Sequence, residues 1–153
     1  MIKKIFLIIF FFLFVSNCGY TPLYNNINNN NFKIKVETLE GDNYINRAIN
    51  LNLRKYKDST SEKNFSLKII SQYKKRDLSK DSSGNVSNYQ INLSSQFNIS
   101  KDGESSIFIF EENYNLNKLE DTFENLNNEK NIKNTFATTA VNQLILELAK
   151  MKW

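Results

Sequence analysis

A run of strict alternation between residues 89 and 99 constrains the fold more than any other feature of the sequence. Tyr89, Ile91, Leu93, Ser95, Phe97 and Ile99 occupy every second position there, and polar residues fill the positions between them. Successive side chains of a strand point to opposite faces of a sheet, so this pattern predicts a long strand with one buried face. The chain must therefore build a sheet and cover one side of it.

Three shorter segments predict further strands. Residues 32–36 alternate apolar and polar side chains, residues 65–73 begin with the same pattern, and residues 107–116 are rich in large apolar groups. Residues 74–77 and 79–85 are expected to form the end of a hairpin, with Gly84 in its turn. Residues 101–104, Lys-Asp-Gly-Glu, are a strong turn signal before the last strand.

The fourth predicted strand carries bulk on both faces. Ile107 and Ile109 alternate with Phe108 and Phe110. Strands that are apolar on both faces are typical of sheets covered on both sides. We therefore expect at least one end of this strand to be covered on both sides.

Two segments have the spacing of an amphipathic helix. Gly41 ends the first strand, and Asp42 is placed to cap a helix over residues 43–57. Its apolar face consists of Ile45, Ala48, Ile49, Leu53 and Tyr56. The second stripe predicts a helix over residues 132–152, and its members are Ile132, Phe136, Ala137, Ala140, Val141, Leu144, Ile145 and Leu148. Residues 117–131 are polar and receive no assignment.

These elements predict an α+β fold with the order β-α-β-β-β-α. Two helices with one apolar stripe each are best buried on one face of a four-stranded, mostly antiparallel sheet. The helix between the first two strands allows them to be parallel through a right-handed crossover, while the short later connections favour antiparallel pairing. We expect residues 32–153 to form a single α/β sandwich domain.

The N-terminus has the organisation of an export signal. Lys3 and Lys4 precede an unbroken apolar run of eleven residues, 5–15. A membrane-spanning helix needs about 20 apolar residues, whereas a signal peptide needs about 7–15. We therefore expect residues 1–17 to be a signal peptide.

The only cysteine follows this run directly. Val15-Ser16-Asn17-Cys18 resembles the lipobox of bacterial lipoproteins, although Asn17 stands where Gly or Ala is usual. The resemblance implies a lipid on the sulfur of Cys18, with residues 18–31 as the lipidated N-terminus and a flexible, Asn-rich tether. By resemblance to enteric bacterial lipoproteins, in which an Asp after the cysteine marks retention at the inner membrane, Gly19 implies an outer-membrane destination on the periplasmic side. The alternative is an ordinary signal peptide or anchor with an incidental cysteine.

Composition excludes several classes of site. The chain has no histidine and one cysteine, which excludes Ser-His-Asp triads, Cys-His dyads and most zinc sites. The net charge is +4, and it falls to +2 without Lys3 and Lys4, too little to indicate nucleic-acid binding. Glu111 and Glu112 are adjacent, so on a strand they face opposite sides and cannot act as a catalytic pair. We expect no enzyme activity, no metal and no cofactor besides the lipid.

The opening of the mature chain carries a family resemblance. Cys18-Gly19-Tyr20-Thr21-Pro22-Leu23-Tyr24 resembles the start of LptE-like lipopolysaccharide-assembly lipoproteins of the alphaproteobacterial type. The resemblance is specific over these seven residues and architectural over the rest. It implies a protein that plugs the LptD β-barrel of the outer membrane, helps that barrel to assemble and helps to pass lipopolysaccharide to the cell surface.

One basic cluster is a candidate lipopolysaccharide contact. Lys74, Lys75 and Arg76 are adjacent, and Lys80 is close. Cations bind clustered phosphates, and alternation would point Lys74 and Arg76 the same way. The alternative is a solvated loop that discourages strand pairing. At the level of the whole protein, the alternative to the barrel partner is another envelope lipoprotein that acts as a periplasmic scaffold or secretion component.

Overall fold

The computed structural model of the chain describes residues 32–57 and 61–151. It confirms the predicted α+β fold and the order β-α-β-β-β-α. The elements are β1 (Lys33–Gly41), α1 (Asn43–Leu53), β2 (Asn64–Lys80), β3 (Val86–Lys101), β4 (Glu104–Asn117) and α2 (Thr122–Lys150).

The four strands form one mixed sheet in the order β1-β2-β3-β4. β1 is parallel to β2, and the other two pairs are antiparallel. The β1–β2 register shifts between Val36 and Thr38, so Glu37 is a bulge in this edge strand. β3 is central, and its pairing with β4 runs without a shift from Lys101 opposite Glu104 to Asn88 opposite Asn117.

Both helices cover the same face of the sheet, which we call the helix side. The alternate residues of β3 that begin with Tyr89 are all buried there. Phe97 stacks on Phe108 of β4, and Phe136 of α2 packs against Phe110 with 5.4 Å between ring centroids. This layer is the hydrophobic core of the domain. Removal of its apolar area from water stabilises the fold by about 25 cal/mol per Å².

A tight turn joins β1 to α1. Gly41 has φ +92°, and a Cβ there would lie 1.9 Å from the carbonyl oxygen of Ser71. That oxygen accepts a hydrogen bond from Asp42 N at 2.8 Å. The Asp42 carboxylate caps the helix as predicted, since Ile45 N donates to Oδ1 at 2.9 Å. α1 ends earlier than predicted, at Leu53, and one 3₁₀ turn follows it.

α2 is longer than its apolar stripe predicts. It begins at Thr122, where Asp121 Oδ1 accepts from Phe123 N at 2.7 Å, and it continues to Lys150. Its buried residues run only from Phe136 to Leu148. The residues that received no assignment therefore form a connection and the first polar turns of this helix.

One sequence expectation holds only in part, and another is wrong. Residues 81–85 close the hairpin between β2 and β3 with Gly84 in the turn, as predicted, but residues 74–77 belong to β2, which continues to Lys80 and pairs with β3 as far as Val86. The fourth strand is not covered on both sides by the described part of the chain. Ile107 and Ile109 are 64% and 54% exposed on the face away from the helices. Both helices lie on the other face, where Phe108 and Phe110 point, so nothing among the described residues covers the isoleucines.

Candidate functional site

The basic residues predicted as a lipopolysaccharide contact do not form one cluster. Lys74 and Arg76 lie on the sheet face opposite the helices, whereas Lys75 points to the helix side. Lys80 is the last residue of β2. The predicted hairpin end with Gly84 in its turn is present, but the turn begins only at Asp81, and residues 74–77 are still part of β2.

We call the surface opposite the helices the open face. It consists of the outward-pointing residues of the strands, which are mainly amides, hydroxyls and charged groups. On the three long strands these are Ser66, Lys68, Ile70, Gln72, Lys74, Arg76, Asn88, Gln90, Asn92, Ser94, Gln96, Asn98, Ile107, Ile109, Glu111, Asn113 and Asn115.

Amide side chains on the open face hydrogen-bond across the strands. Arg76 Nε donates to Gln90 Oε1 at 2.9 Å, and Gln90 Nε2 donates to Asn115 Oδ1 at 2.7 Å. Asn92 donates to Asn113 in the neighbouring row. Such cross-strand pairs contribute about 0.2–1 kcal/mol each. The open face is therefore ordered by its own side chains, without a covering layer from the described residues.

Cations outnumber acids on this face. Lys33 and Lys35 of β1 extend it, and they line a depression of about 470 Å³ together with Glu37. The basic residues are Lys33, Lys35, Lys68, Lys74 and Arg76, and the acidic ones are Glu37, Glu40 and Glu111. Lys68 pairs with Glu40 at 2.9 Å. The formal net charge of these side chains is therefore positive, which favours contact with anionic groups.

Lys75 belongs to a charged network between the sheet and α2. Its Nζ lies 2.5 Å from Glu129 Oε1 and 3.9 Å from the ring centroid of Tyr89. Tyr73 donates its hydroxyl to the other Glu129 oxygen at 2.7 Å. Lys75 is therefore occupied within the fold, where it holds the first half of α2 against the sheet.

A second ion pair continues this network to α1. Lys133 Nζ lies 2.9 Å from Asp42 Oδ2 and 3.8 Å from the ring centroid of Tyr73. Burial raises the pKa of Asp42 and of Glu129, but hydrogen bonds and the lysines outweigh burial, so each pKa lies below its ordinary value. Burial and the hydrogen bond to Glu129 raise the pKa of Tyr73. The network therefore favours two carboxylates and a neutral phenol.

The structure separates the adjacent carboxylates of β4. Glu111 lies on the open face, beside Lys74 in a depression of about 300 Å³. Glu112 lies on the helix side and accepts a hydrogen bond from Tyr114. Among residues 32–57 and 61–151, no three acidic or cysteine side chains come together in a way that could hold a metal ion.

Two exposed apolar features are missed by the sequence analysis. One is the pair Ile107 and Ile109 on the open face of β4. The other is Phe123 and Leu126 in the first turns of α2, 68% and 52% exposed, beside a groove of about 430 Å³ that Leu126 and Tyr89 line. No sequence signal distinguishes the exposed isoleucines from Phe108 and Phe110, which alternate with them and are partly buried on the helix side. In the described part of the chain, no helix is long and apolar enough to cross a membrane.

The predicted lipid attachment and the family resemblance lie outside the described residues. Cys18, the signal peptide of residues 1–17 and the tether all precede Phe32, where the description begins. They remain predictions from the sequence.

Comparisons with known proteins give structural matches only. No family model matches the chain, and no curated protein matches its sequence. The crystal structure of rare lipoprotein B from Shewanella oneidensis is similar with a TM-score of 0.57 and 15% identity, over 77% of this chain and 92% of that one. A candidate lipoprotein from Caulobacter crescentus gives 0.51 and 12% identity, over 76% and 87%. At these identities the similarity shows a shared fold.

Proposed function

We propose that this chain is a lipid-anchored outer-membrane lipoprotein that partners and plugs an LptD-like β-barrel. In this role it assists assembly of the barrel and transport of lipopolysaccharide to the cell surface. The observation that carries the proposal is the open face, a long surface of amides and cations that is ordered by hydrogen bonds between its own side chains and that none of the described residues covers. The interior of an outer-membrane barrel is polar, and such a surface suits it.

Two further lines support the proposal. The chain shares its fold with a solved rare lipoprotein B and with a second candidate lipoprotein. Its sequence has the pattern of an export signal, followed directly by Cys18 and by opening residues that resemble those of LptE-like proteins. A lipid on Cys18 would hold the domain at the periplasmic side of the membrane, because two or more acyl chains anchor a protein stably.

Within this proposal, Lys74 and Arg76 are the favoured lipopolysaccharide contacts. Lys74 and Arg76 share the open face and can meet a phosphate group together, which favours a charge-assisted contact. Lys75 is paired with Glu129 on the other side and is removed from the contact. Lys80, at the end of β2, stays a peripheral candidate.

Co-purification tests the proposed partner. The full-length protein, extracted from envelopes in mild detergent, is expected to retain an outer-membrane β-barrel, and Cys18→Ser is expected to lose membrane attachment and most of that complex. A matched pair of variants, Lys74→Ala with Arg76→Ala against Lys33→Ala with Lys35→Ala, tests the contact. The first pair is expected to weaken binding of purified lipopolysaccharide clearly more than the second, which removes two cations from the β1 end of the same face.

The same experiments distinguish the barrel partner from the alternative, an envelope lipoprotein that acts as a periplasmic scaffold or secretion component. If the protein carries the lipid but retains no barrel, and its depletion leaves surface lipopolysaccharide normal, then the envelope-scaffold hypothesis replaces this one. An intact mass of the mature N-terminal peptide that matches unmodified Cys18 would remove the anchor. We propose no catalytic activity and no nucleic-acid partner.

A further inference from the structure

We propose that the outer edge of β4, which pairs with no other strand among the described residues, accepts an extended segment of a partner polypeptide as a fifth strand. The segment would carry Lys or Arg opposite Glu111 and aliphatic residues opposite Ile109 and Ile107. The inference goes beyond the proposed function, because it holds for any partner strand with this chemistry and does not require a barrel.

The β4 edge has the properties that strand addition needs. β4 pairs with β3 through all fourteen of its residues without a register shift. Alternate residues of such a strand direct their N–H and C=O groups away from the neighbour, so a regular row of backbone groups is available at the edge. The strand from Glu104 to Asn117 contains no proline, lysine or arginine, the residues that usually blunt an edge.

The opposite edge of the same sheet is protected. β1 is shorter, with nine residues, and the bulge at Glu37 interrupts its row of backbone groups. Lys33 and Lys35 are exposed on it, and charged lysines on an edge discourage further pairing. The sheet thus blunts one edge and leaves the other long, regular and flanked by exposed isoleucines.

Charge selects the chemistry of the added strand. β4 carries Glu104, Glu111 and Glu112 and no basic residue. Among the described residues Glu111 makes no ion pair, and it lies on the open face in the same row as Ile107 and Ile109. Opposite charges across a strand pair are favourable, and like charges are unfavourable. A cationic strand therefore fits this edge, and β4 of a second copy, with the same three glutamates, does not.

A synthetic peptide tests the edge directly. The probe is a blocked, antiparallel-compatible peptide of sequence Thr-Lys-Thr-Val-Thr-Val-Thr, added at up to millimolar concentration to the full chain with the leader removed. We expect slower hydrogen exchange at alternate amides of β4 and no change in β1. The exposed-residue variants Ile107→Lys and Ile109→Lys should each weaken peptide binding by about tenfold or more.

A charge exchange makes the test specific. Glu111→Lys should weaken binding of the lysine peptide, and a peptide with Glu in place of Lys should restore it. Lys35→Glu on β1 serves as the control and should leave binding unchanged. No binding at millimolar peptide, equal protection of β1, or unchanged affinity in Ile107→Lys would overturn the proposal. Protection of β4 that rises with protein concentration without peptide would overturn it too, in favour of a second copy.

Discussion

The two faces of the sheet obtain their order in different ways. On the helix side, β3 buries Tyr89, Ile91, Leu93, Phe97 and Ile99 under α1 and α2. On the open face, the intervening residues of the same strand are amides and serines, and several of the amides form hydrogen bonds with side chains of β2 and β4. One strand therefore contributes one face to the stabilising core and the other face to a polar surface that the described residues leave accessible.

Substitutions on the two faces should differ in their effect on the stability of the fold. Removing core atoms loses transfer free energy and leaves a cavity, whereas an exposed amide exchanges its bonds with water at little net cost. The two faces should consequently differ several-fold in their sensitivity to truncation, even between adjacent residues of one strand.

Phe136→Ala should give the largest loss. Phe136 is fully buried against Phe110, and its truncation should lower the free energy of unfolding by about 3–5 kcal/mol. Urea denaturation measures the change. The matched open-face control, Gln96→Ala, should change stability by no more than about 0.5 kcal/mol. Equal losses in the two variants would contradict the division between the faces.

Gly41→Ala should follow. The positive φ disfavours any side chain, and the new Cβ would meet the Ser71 carbonyl that holds Asp42 in place. We expect a loss of about 2–3 kcal/mol in the same urea assay. Gly103→Ala is the matched control, because Gly103 also has φ +92° but nothing lies near its Cβ position. A similar loss at both glycines would show that φ alone matters and that the close approach to Ser71 does not.

A buried serine pair tests a polar contact within the core layer of the helix side. Ser71 and Ser95 are fully buried and bond to each other at 2.8 Å. Ser71→Ala leaves one buried hydroxyl without its partner, and we expect a loss of about 1–3 kcal/mol. Adding Ser95→Ala should cost much less than the first change, because it removes the orphaned group. Strict additivity of the two changes in a double-mutant cycle would refute this coupling.

Acid should loosen the charged network at the border of the helix side. Glu129 and Asp42 have pKa values below the ordinary ones in the folded chain, so the stability they contribute is present above pH 4.5 and is lost as pH falls through the folded-state pKa. We expect the free energy of unfolding to fall between about pH 5 and pH 3, and to fall less steeply in Glu129→Gln. Glu111→Gln on the open face is the control, and an equal effect there would contradict the assignment.

The smallest effect is expected on the open face itself. Asn92→Ala, alone or with Asn113→Ala, removes one cross-strand amide pair and should lower stability by about 0.2–1 kcal/mol. Thermal unfolding can resolve such a difference when the variants are compared side by side. A loss above about 2 kcal/mol would mean that the amide rows stabilise the fold as strongly as core contacts do.

The sequence predicts the elements that bury an apolar stripe. The alternation of β3, the Asp42 cap and the stripe from Phe136 to Leu148 all describe one-sided burial, and the structure confirms each of them. The far half of β2 and the first turns of α2 were not predictable in this way. Their side chains are polar all round, and backbone pairing with β3 and a capping carboxylate, Asp121, define them instead.

The candidate site was predictable only in part. Alternation places Lys74 and Arg76 on one face and Lys75 on the other, and the structure has this arrangement. Which face lies under the helices cannot be inferred where both sides of a strand are polar. On β4 the sequence is ambiguous for the opposite reason, because both sides of the strand are apolar. Only the packing of α2 decides that Phe110 is covered and Ile109 is exposed.

The parallel pairing of β1 fixes the distance between the N-terminal end of the domain and the hairpin that follows β2. Lys33, at the start of β1, lies opposite Asn64, at the start of β2. The start of β2 pairs with the end of β3, just before the turn at Asp102. The N-terminal end of the domain and this turn therefore lie at the same end of the sheet. The hairpin that follows Lys80 lies at the other end, a full β3 away. At about 3.3 Å per residue, the sixteen residues of β3 span roughly 50 Å. The hairpin after Lys80 therefore lies roughly 50 Å from Phe32, farther than the roughly 30 Å thickness of a bilayer core.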